Sequence, residues 1–260
     1  MNPHLARIRL FPLKSFDGQD VAEAAVLRSG ALAHDREYCF QDEDGAFVNG
    51  KRAGERLPRI RSVFDFGFGQ ITLSDGSGSM TFHPHRDAEP IEAWVGERVG
   101  AKVRLEHNAD NGFPDDTDAP GPTIVSWASL EAVASWFDLS VDEVRLRFRA
   151  NLEVDGVPAF WEDRLFGPDG ETVRFRIGDV LLEGVNPCAR CAVPGRDAVS
   201  GEVSRPDFAK VFADKRREAL PAWAEPGRFD HYYRLAVNTR IPESEAGKVL
   251  KVGDSVDVVG

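Results

Sequence analysis

Asn186-Pro187-Cys188-Ala189-Arg190-Cys191-Ala192-Val193-Pro194-Gly195-Arg196-Asp197, closed by Gly201, sets two of the chain's three cysteines beside an arginine in a turn rich in proline and glycine. A thiolate held on a tight loop next to a fixed positive charge can bind a soft metal or act as a nucleophile. Four readings stand on these residues alone. A structural zinc needs two more ligands, yet the remaining cysteine is Cys39 and no histidine lies at finger spacing nearby. A thioredoxin-like redox pair opens a helix after a strand, which Pro194-Gly195 discourages. Two inert buried thiols, and a single thiolate ligand to a metal cofactor, complete the set.

Outward from this turn, composition narrows the choice. The chain has 260 residues, 42% of them hydrophobic, enough for one large β domain or two modest ones. A net charge of -11 excludes a general nucleic-acid or anionic-membrane surface, since such partners need a basic footprint. An anionic ligand must therefore meet a local basic pocket. The odd cysteine count with a CxxC pair points to a reducing compartment and away from a disulfide framework. Met1-Asn2-Pro3-His4 does not begin a signal peptide and no run reaches membrane-spanning length, so a soluble, cytoplasmic protein is expected.

The first hundred residues alternate short apolar runs, Leu5 to Phe11, Val21 to Leu27, Val63 to Phe68 and Ile91 to Val95, with turn residues every eight to twelve positions. That is the rhythm of a small β-barrel. Tyr38 to Gln41, Asp42-Glu43-Asp44-Gly45 and Ala46 to Val48 read as a hairpin with Gly45 at the positive-φ position. Asn108 to Pro122, rich in Asp, Gly and Pro, reads as a linker or mobile loop. It divides the chain into domains 1–110 and 111–260. Ser129 is expected to N-cap a helix with Leu130, Val133, Ala134 and Phe137 on one face. A short helix over 141–146 follows, then strands at 151–154, 173–177 and 180–183, a helix over 207–218, and strands at 232–237 and 255–259. Val252-Gly253-Asp254 is the turn before the last strand.

Five short motifs fall in one order: Phe11-Pro12-Leu13-Lys14-Ser15; Gly30 with Asp35-Arg36; Arg147-Phe148-Arg149-Ala150-Asn151; Cys188-Ala189-Arg190-Cys191 with Asp197 and Gly201; and Val252-Gly253-Asp254. In this order the chain resembles MOSC-domain proteins that carry the N-terminal MOSC β-barrel domain, a group that includes the mitochondrial amidoxime-reducing component. The resemblance covers nearly the whole chain. It implies a mainly β (α+β) fold of two parts, an N-terminal β-barrel domain and a MOSC β-barrel domain with a few helices. It also implies a molybdenum-molybdopterin cofactor between them, with Cys191 as the thiolate ligand to the metal and the catalytic cysteine. Lys14, Ser15, Arg36, Arg149, Asn151, Arg190 and Ser129 would contact the cofactor. Two departures stand out. Ala150 replaces a proline of the family pattern, and the segment after Trp94 is shortened, so a helix at the rim of the first domain is expected to be missing.

The physical logic agrees with this set. The cofactor is strongly anionic, and an acidic chain can hold it only by converging Lys and Arg on it, with arginine forks matching phosphate oxygens. Outside that pattern the same residues have plainer roles. Lys14 would be a solvated strand-end residue, Arg36 would pair with Asp35 or Glu37, and Arg147 and Arg149 would alternate along a half-exposed strand. Cys39 reads as a small hydrophobe, and His83-Pro84-His85 as surface residues. The activity the resemblance implies is reduction of a small N-oxygenated substrate, an amidoxime or hydroxylamine. The metal would accept the oxygen atom and be restored by two electrons and two protons. With no Gly-rich dinucleotide fingerprint and too few cysteines for an iron-sulfur cluster, electrons would come from an external donor protein of the flavin reductase or ferredoxin type. The alternatives are a cofactor carrier or sulfur-transfer protein using a Cys191 persulfide, and a binding module with buried thiols.

Overall fold

The computed structural model describes residues 2–259. Its elements run β1 (His4–Leu10), β2 (Gln19–Val21), β3 (Glu23–Ala25), β4 (Tyr38–Asp42), β5 (Arg61–Asp65), β6 (Gln70–Asp75), β7 (Gly78–Phe82), α1 (Ala88–Val99), β8 (Val103–His107) and β9 (Ile124–Ser126). They continue α2 (Trp127–Phe137), α3 (Val141–Phe148), β10 (Leu152–Asp155), β11 (Val173–Ile177), β12 (Val180–Ala189), α4 (Phe208–Glu218), β13 (Arg234–Arg240), β14 (Val249–Lys251) and β15 (Val256–Val258). The fold is mainly β, as expected.

The principal sheet has eight strands in the order β15-β11-β12-β13-β9-β10-β1-β2. No continuous ladder closes it into a barrel, yet its ends come close: His4 bridges Ser255, and Leu5 N donates to Asp254 O at 2.8 Å. β1 thus leaves the first half of the chain and pairs with β10 in the second, carrying Leu5, Ile8 and Leu10 into the same core as Leu152, Phe175 and Val237. The N-terminal half builds its own core between the β4-β8 pair, the β5-β6-β7 meander and α1. The aromatic residues of α3 and α4 pack with α2 in a third cluster.

Several expectations are revised. Ile91 to Val95 is helical, not a strand run: Ile91, Trp94, Val95 and Val99 are the buried face of α1, and Gly100 ends it at φ 73°. Val21 to Leu27 is two short strands, because β2 pairs with β1 while β3 crosses to pair with β14. Arg147 to Asn151 is not a strand. Arg147 and Phe148 end α3, and Arg149 caps it in the left-handed region at φ 54°. The N-cap of α2 is Ser126, whose Oγ accepts from Ser129 N at 3.1 Å, so Ser129 lies inside the first turn. The hairpin after Tyr38 forms with Gly45 at φ 76°, its return arm reduced to a bridge between Gln41 and Phe47. No helix among the described residues is long and apolar enough to cross a membrane.

Candidate functional site

A cavity of about 720 Å³ opens where the cysteine turn, the end of α3, the start of the chain and the 108–122 segment meet. Its wall carries eight basic residues and five aspartates, the reverse of the chain's balance of 32 Lys and Arg against 43 Asp and Glu. The local pocket demanded by an acidic chain is present.

Cys188 and Cys191 both face this cavity, partly buried and unbridged. The β12–β13 register shifts between Pro187 and Ala189, so Cys188 sits on an irregularity that turns the strand out of the sheet. Asn186 and Asn238 face each other on these strands, Asn238 Nδ2 donating to Asn186 Oδ1 at 2.9 Å. Past Cys191 the chain turns through Val193–Gly195 to Gly201, φ 74°, where a Cβ would lie 2.6 Å from Glu55 Cα. Only glycine lets the turn pack so closely on the N-terminal half.

Arg190 lines the cavity, with much of its guanidinium turned to the backbone. Its Nε and Nη2 donate to Leu235 O and its Nη1 to Phe148 O at 2.9 Å, so the guanidinium latches the cysteine turn to β13 and α3. Asn151 is likewise committed, and only 1% exposed. Its Nδ2 donates to Arg9 O and Asp35 Oδ1, and its Oδ1 accepts from Thr123 N and Arg36 Nη1. Both line the cavity as positioning residues.

Arg36 stands at φ 53° and is ion-paired to Asp35, whose Oδ1 in turn accepts from Phe11 N at 2.8 Å. Burial works to lower its pKa, but the carboxylates of Asp35 and Asp115 outweigh that and raise it. Lys14 donates to Asp115 Oδ1 at 2.5 Å and to Phe113 O at 2.8 Å. Its pKa falls through burial, which Asp115 only partly offsets. Ser15, next to it, faces the cavity at φ 73°.

Arg149 is unlike the others. Its guanidinium stacks on the Phe11 ring at 4.1 Å, and among the described residues no hydrogen bond or ion pair reaches it. Burial, then repulsion from Arg36, pushes its pKa down to about 10. Ser15, Arg36 and Arg149 are all non-glycine residues in left-handed backbone at one cavity. Such strain persists where the surrounding structure enforces it, and it concentrates at functional sites.

Ser129 is not brought to the cavity. It is fully buried, its Oγ donating to Glu162 Oε2 at 2.9 Å and accepting from Phe160 N. Arg147, read as half-exposed, is instead buried and holds the 193–204 segment through Pro194 O and Ser204 Oγ. Cys39 is buried, and burial pushes its thiol up to about 12, in keeping with a small hydrophobe. Sequence reasoning missed Phe11 as the platform between two arginines and Asp115 as a charge within the site. An Asp-rich stretch looks like solvent-facing linker, and nothing local marks which carboxylate turns inward.

Two family models match the chain, the MOSC N-terminal beta barrel domain over residues 2–142 and the MOSC domain over residues 122–257. The chain belongs to the MOSC family. Among curated relatives it is similar to a molybdenum cofactor sulfurase of Drosophila grimshawi, 26% identical over 228 residues, covering 74% of this chain and 28% of the relative. A molybdenum cofactor sulfurase of Caenorhabditis briggsae is 22% identical over 258 residues, covering 87% and 35%. This MOSC chain thus spans about a third of the length of these relatives. Among solved structures, the YUAD protein from Bacillus subtilis aligns over 99% of this chain and 96% of its own, at 13% identity and a TM-score of 0.44.

Proposed function

We propose that this cavity binds the molybdenum-molybdopterin cofactor, with Cys191 as the protein's thiolate ligand, and that the loaded protein reduces small N-oxygenated compounds. The observation that carries the proposal is Arg149: a half-buried guanidinium with no hydrogen-bond or ion-pair partner among the described residues, in a basic cavity whose wall holds two thiols. A partly desolvated cation without a counter-charge is costly unless an anion arrives to meet it. Hard anion-binding nitrogens and soft sulfur in one cavity are the donor set that a phosphate-bearing, metal-dithiolene group requires.

When bound, the cofactor supplies two-electron oxygen-atom chemistry that no side chain here can provide. The chain's own residues do the rest. Arg149 and Arg36, both lying over the Phe11 ring, would hold the anionic end, and Ser15 would offer a hydroxyl beside them. Arg190 and Asn151 keep the cysteine turn and the Asp35-Arg36 segment rigid. Ser129 is left out of the contact set. Electrons come from a separate donor protein of the flavin reductase or ferredoxin type.

The test is metal and pterin analysis of protein purified from a host able to make the cofactor. Wild type and Cys188→Ala should retain metal, and Cys191→Ala should lose it together with hydroxylamine reduction driven by reduced viologen. Equal loss in both cysteine variants would mean a shared dithiol role. Activity with NADH unaided would remove the need for a donor protein.

The names of the curated relatives favour a second reading, sulfur transfer through a Cys191 persulfide. It requires an additional sulfur atom on Cys191 in intact-mass analysis and no viologen-driven turnover, the opposite outcome on both measurements.

A further inference from the structure

The segment from Asn108 to Pro122 does more than connect the two halves of the chain. Two anchors hold it. On one side Phe113 N donates to Arg36 O, and Phe113 O accepts from Lys14 Nζ, both at 2.8 Å. On the other, Asp116 Oδ1 accepts from Asp118 N and Ala119 N, and its Oδ2 accepts from Asn238 Nδ2 at 3.2 Å. Asp115 lies between these anchors with its side chain 78% exposed toward the cavity, while its partner Lys14 is only 6% exposed.

Charge bookkeeping makes this position informative. Lys14, Arg36 and Arg149 are three cations, and Asp35 and Asp115 are the two carboxylates set among them. Asp17 and Arg9 also act on Arg149, but Asp17 is bound to Arg61 at 3.0 Å and to Ser62 N, and Arg9 is paired with Asp20 at 2.8 Å. One positive charge is therefore uncompensated with Asp115 in place, and two once it leaves. Two is the charge of a phosphate monoester above its second pKa. The surrounding cavity wall desolvates the Asp115 carboxylate in part even though its side chain reaches solvent, yet Arg36 and Lys14 outweigh this and hold its pKa at about 2, so it stays ionised at any ordinary pH.

We propose that Asp115 is an intramolecular stand-in for an anionic ligand: its carboxylate occupies the Lys14–Arg36–Arg149 subsite and swings out when a phosphate monoester dianion binds there. The proposal rests on the anion-binding reading of the cavity. The exchange needs no unfolding, because Lys14 keeps its bond to Phe113 O and both loop anchors stay in place. Only an exposed side chain rotates. The device keeps the subsite closed to weakly charged competitors and opens it to a ligand carrying two charges.

The experiment uses the full chain purified from a host that cannot make the cofactor, with inorganic phosphate at pH 8 as the probe and calorimetry as the readout. Asp115→Asn should bind phosphate about tenfold more tightly than wild type, the value of one charge-assisted hydrogen bond no longer contested. Asp115→Glu, which keeps the charge, should stay within about twofold of wild type, and thermal melts of both variants check that the fold is intact. Adding Arg149→Ala to Asp115→Asn should abolish the gain. Equal or weaker binding by Asp115→Asn, with Arg149→Ala alone still weakening phosphate, would make Asp115 a structural counter-ion and overturn the stand-in. No phosphate binding by any form would overturn the anion-binding reading as well.

Discussion

Arg149 and Arg190 come from neighbouring motifs and line one cavity, yet their energetics are opposite. Arg190 satisfies two backbone carbonyls, and removing it leaves Leu235 O and Phe148 O without that donor. Arg190→Ala should lower stability by about 3 kcal/mol, and protease sensitivity at the cysteine turn should rise with it. Arg149 sits in a strained left-handed backbone with a half-buried charge unpaired among the described residues. Arg149→Gly relieves both and should raise stability by about 1 kcal/mol, while lowering cofactor retention. Denaturant melts of the cofactor-free proteins measure both changes. A stability loss of more than about 1 kcal/mol for Arg149→Gly would show that the stacking on Phe11 outweighs the strain.

Between elements, the N-terminus of α2 meets the turn at Trp161–Leu165 through a buried polar knot. Glu162 Oε2 accepts from Ser126 N and Ser129 Oγ, while Glu162 Oε1 has no partner among the described residues. Burial, then the neighbouring Asp163 carboxylate, pushes the Glu162 pKa up to about 7. A carboxyl whose folded pKa is raised binds its proton more tightly in the native state, so stability falls as pH rises from about 4.5 to 7. Asp163 is raised too and acts in the same direction. Glu162→Gln should match wild type near pH 4.5 and exceed it at pH 8 by on the order of 2 to 3 kcal/mol. Parallel urea melts at the two pH values decide this, and a constant difference between them would place an ionised Glu162 in the native knot.

For the whole molecule, the β1–β10 pairing ties the start of the chain into the second half. A fragment of residues 111–260 loses β1, and with it Leu5, Ile8 and Leu10 from the principal core. At roughly 1.5 to 3 kcal/mol for each buried side chain, that loss rivals the 5 to 15 kcal/mol that holds a typical domain folded. The fragment should lack a cooperative melt by circular dichroism, and the full chain should unfold in one transition. Two separate transitions in the full chain, or a folded fragment, would mean that the halves are independent domains.

Features that depend on near neighbours in the chain were legible before folding. The apolar period set α2, Gly45 set the hairpin, and the ordered motifs identified the family together with the cysteine turn. In Ile91–Val95 the same local logic misled, since a short apolar run looks alike in a buried strand and on a helix face. Long-range folding allots the polar groups. It spent Arg190 on carbonyls, committed Asn151, drew Ser129 into a buried knot, left Arg149 free, and set Asp115 against Lys14 across 101 residues of chain. A guanidinium carries the same charge wherever it lies. Whether it binds a ligand depends on which carboxylates and carbonyls long-range folding places within 3 Å or so of it, and residue type and spacing do not encode those neighbours.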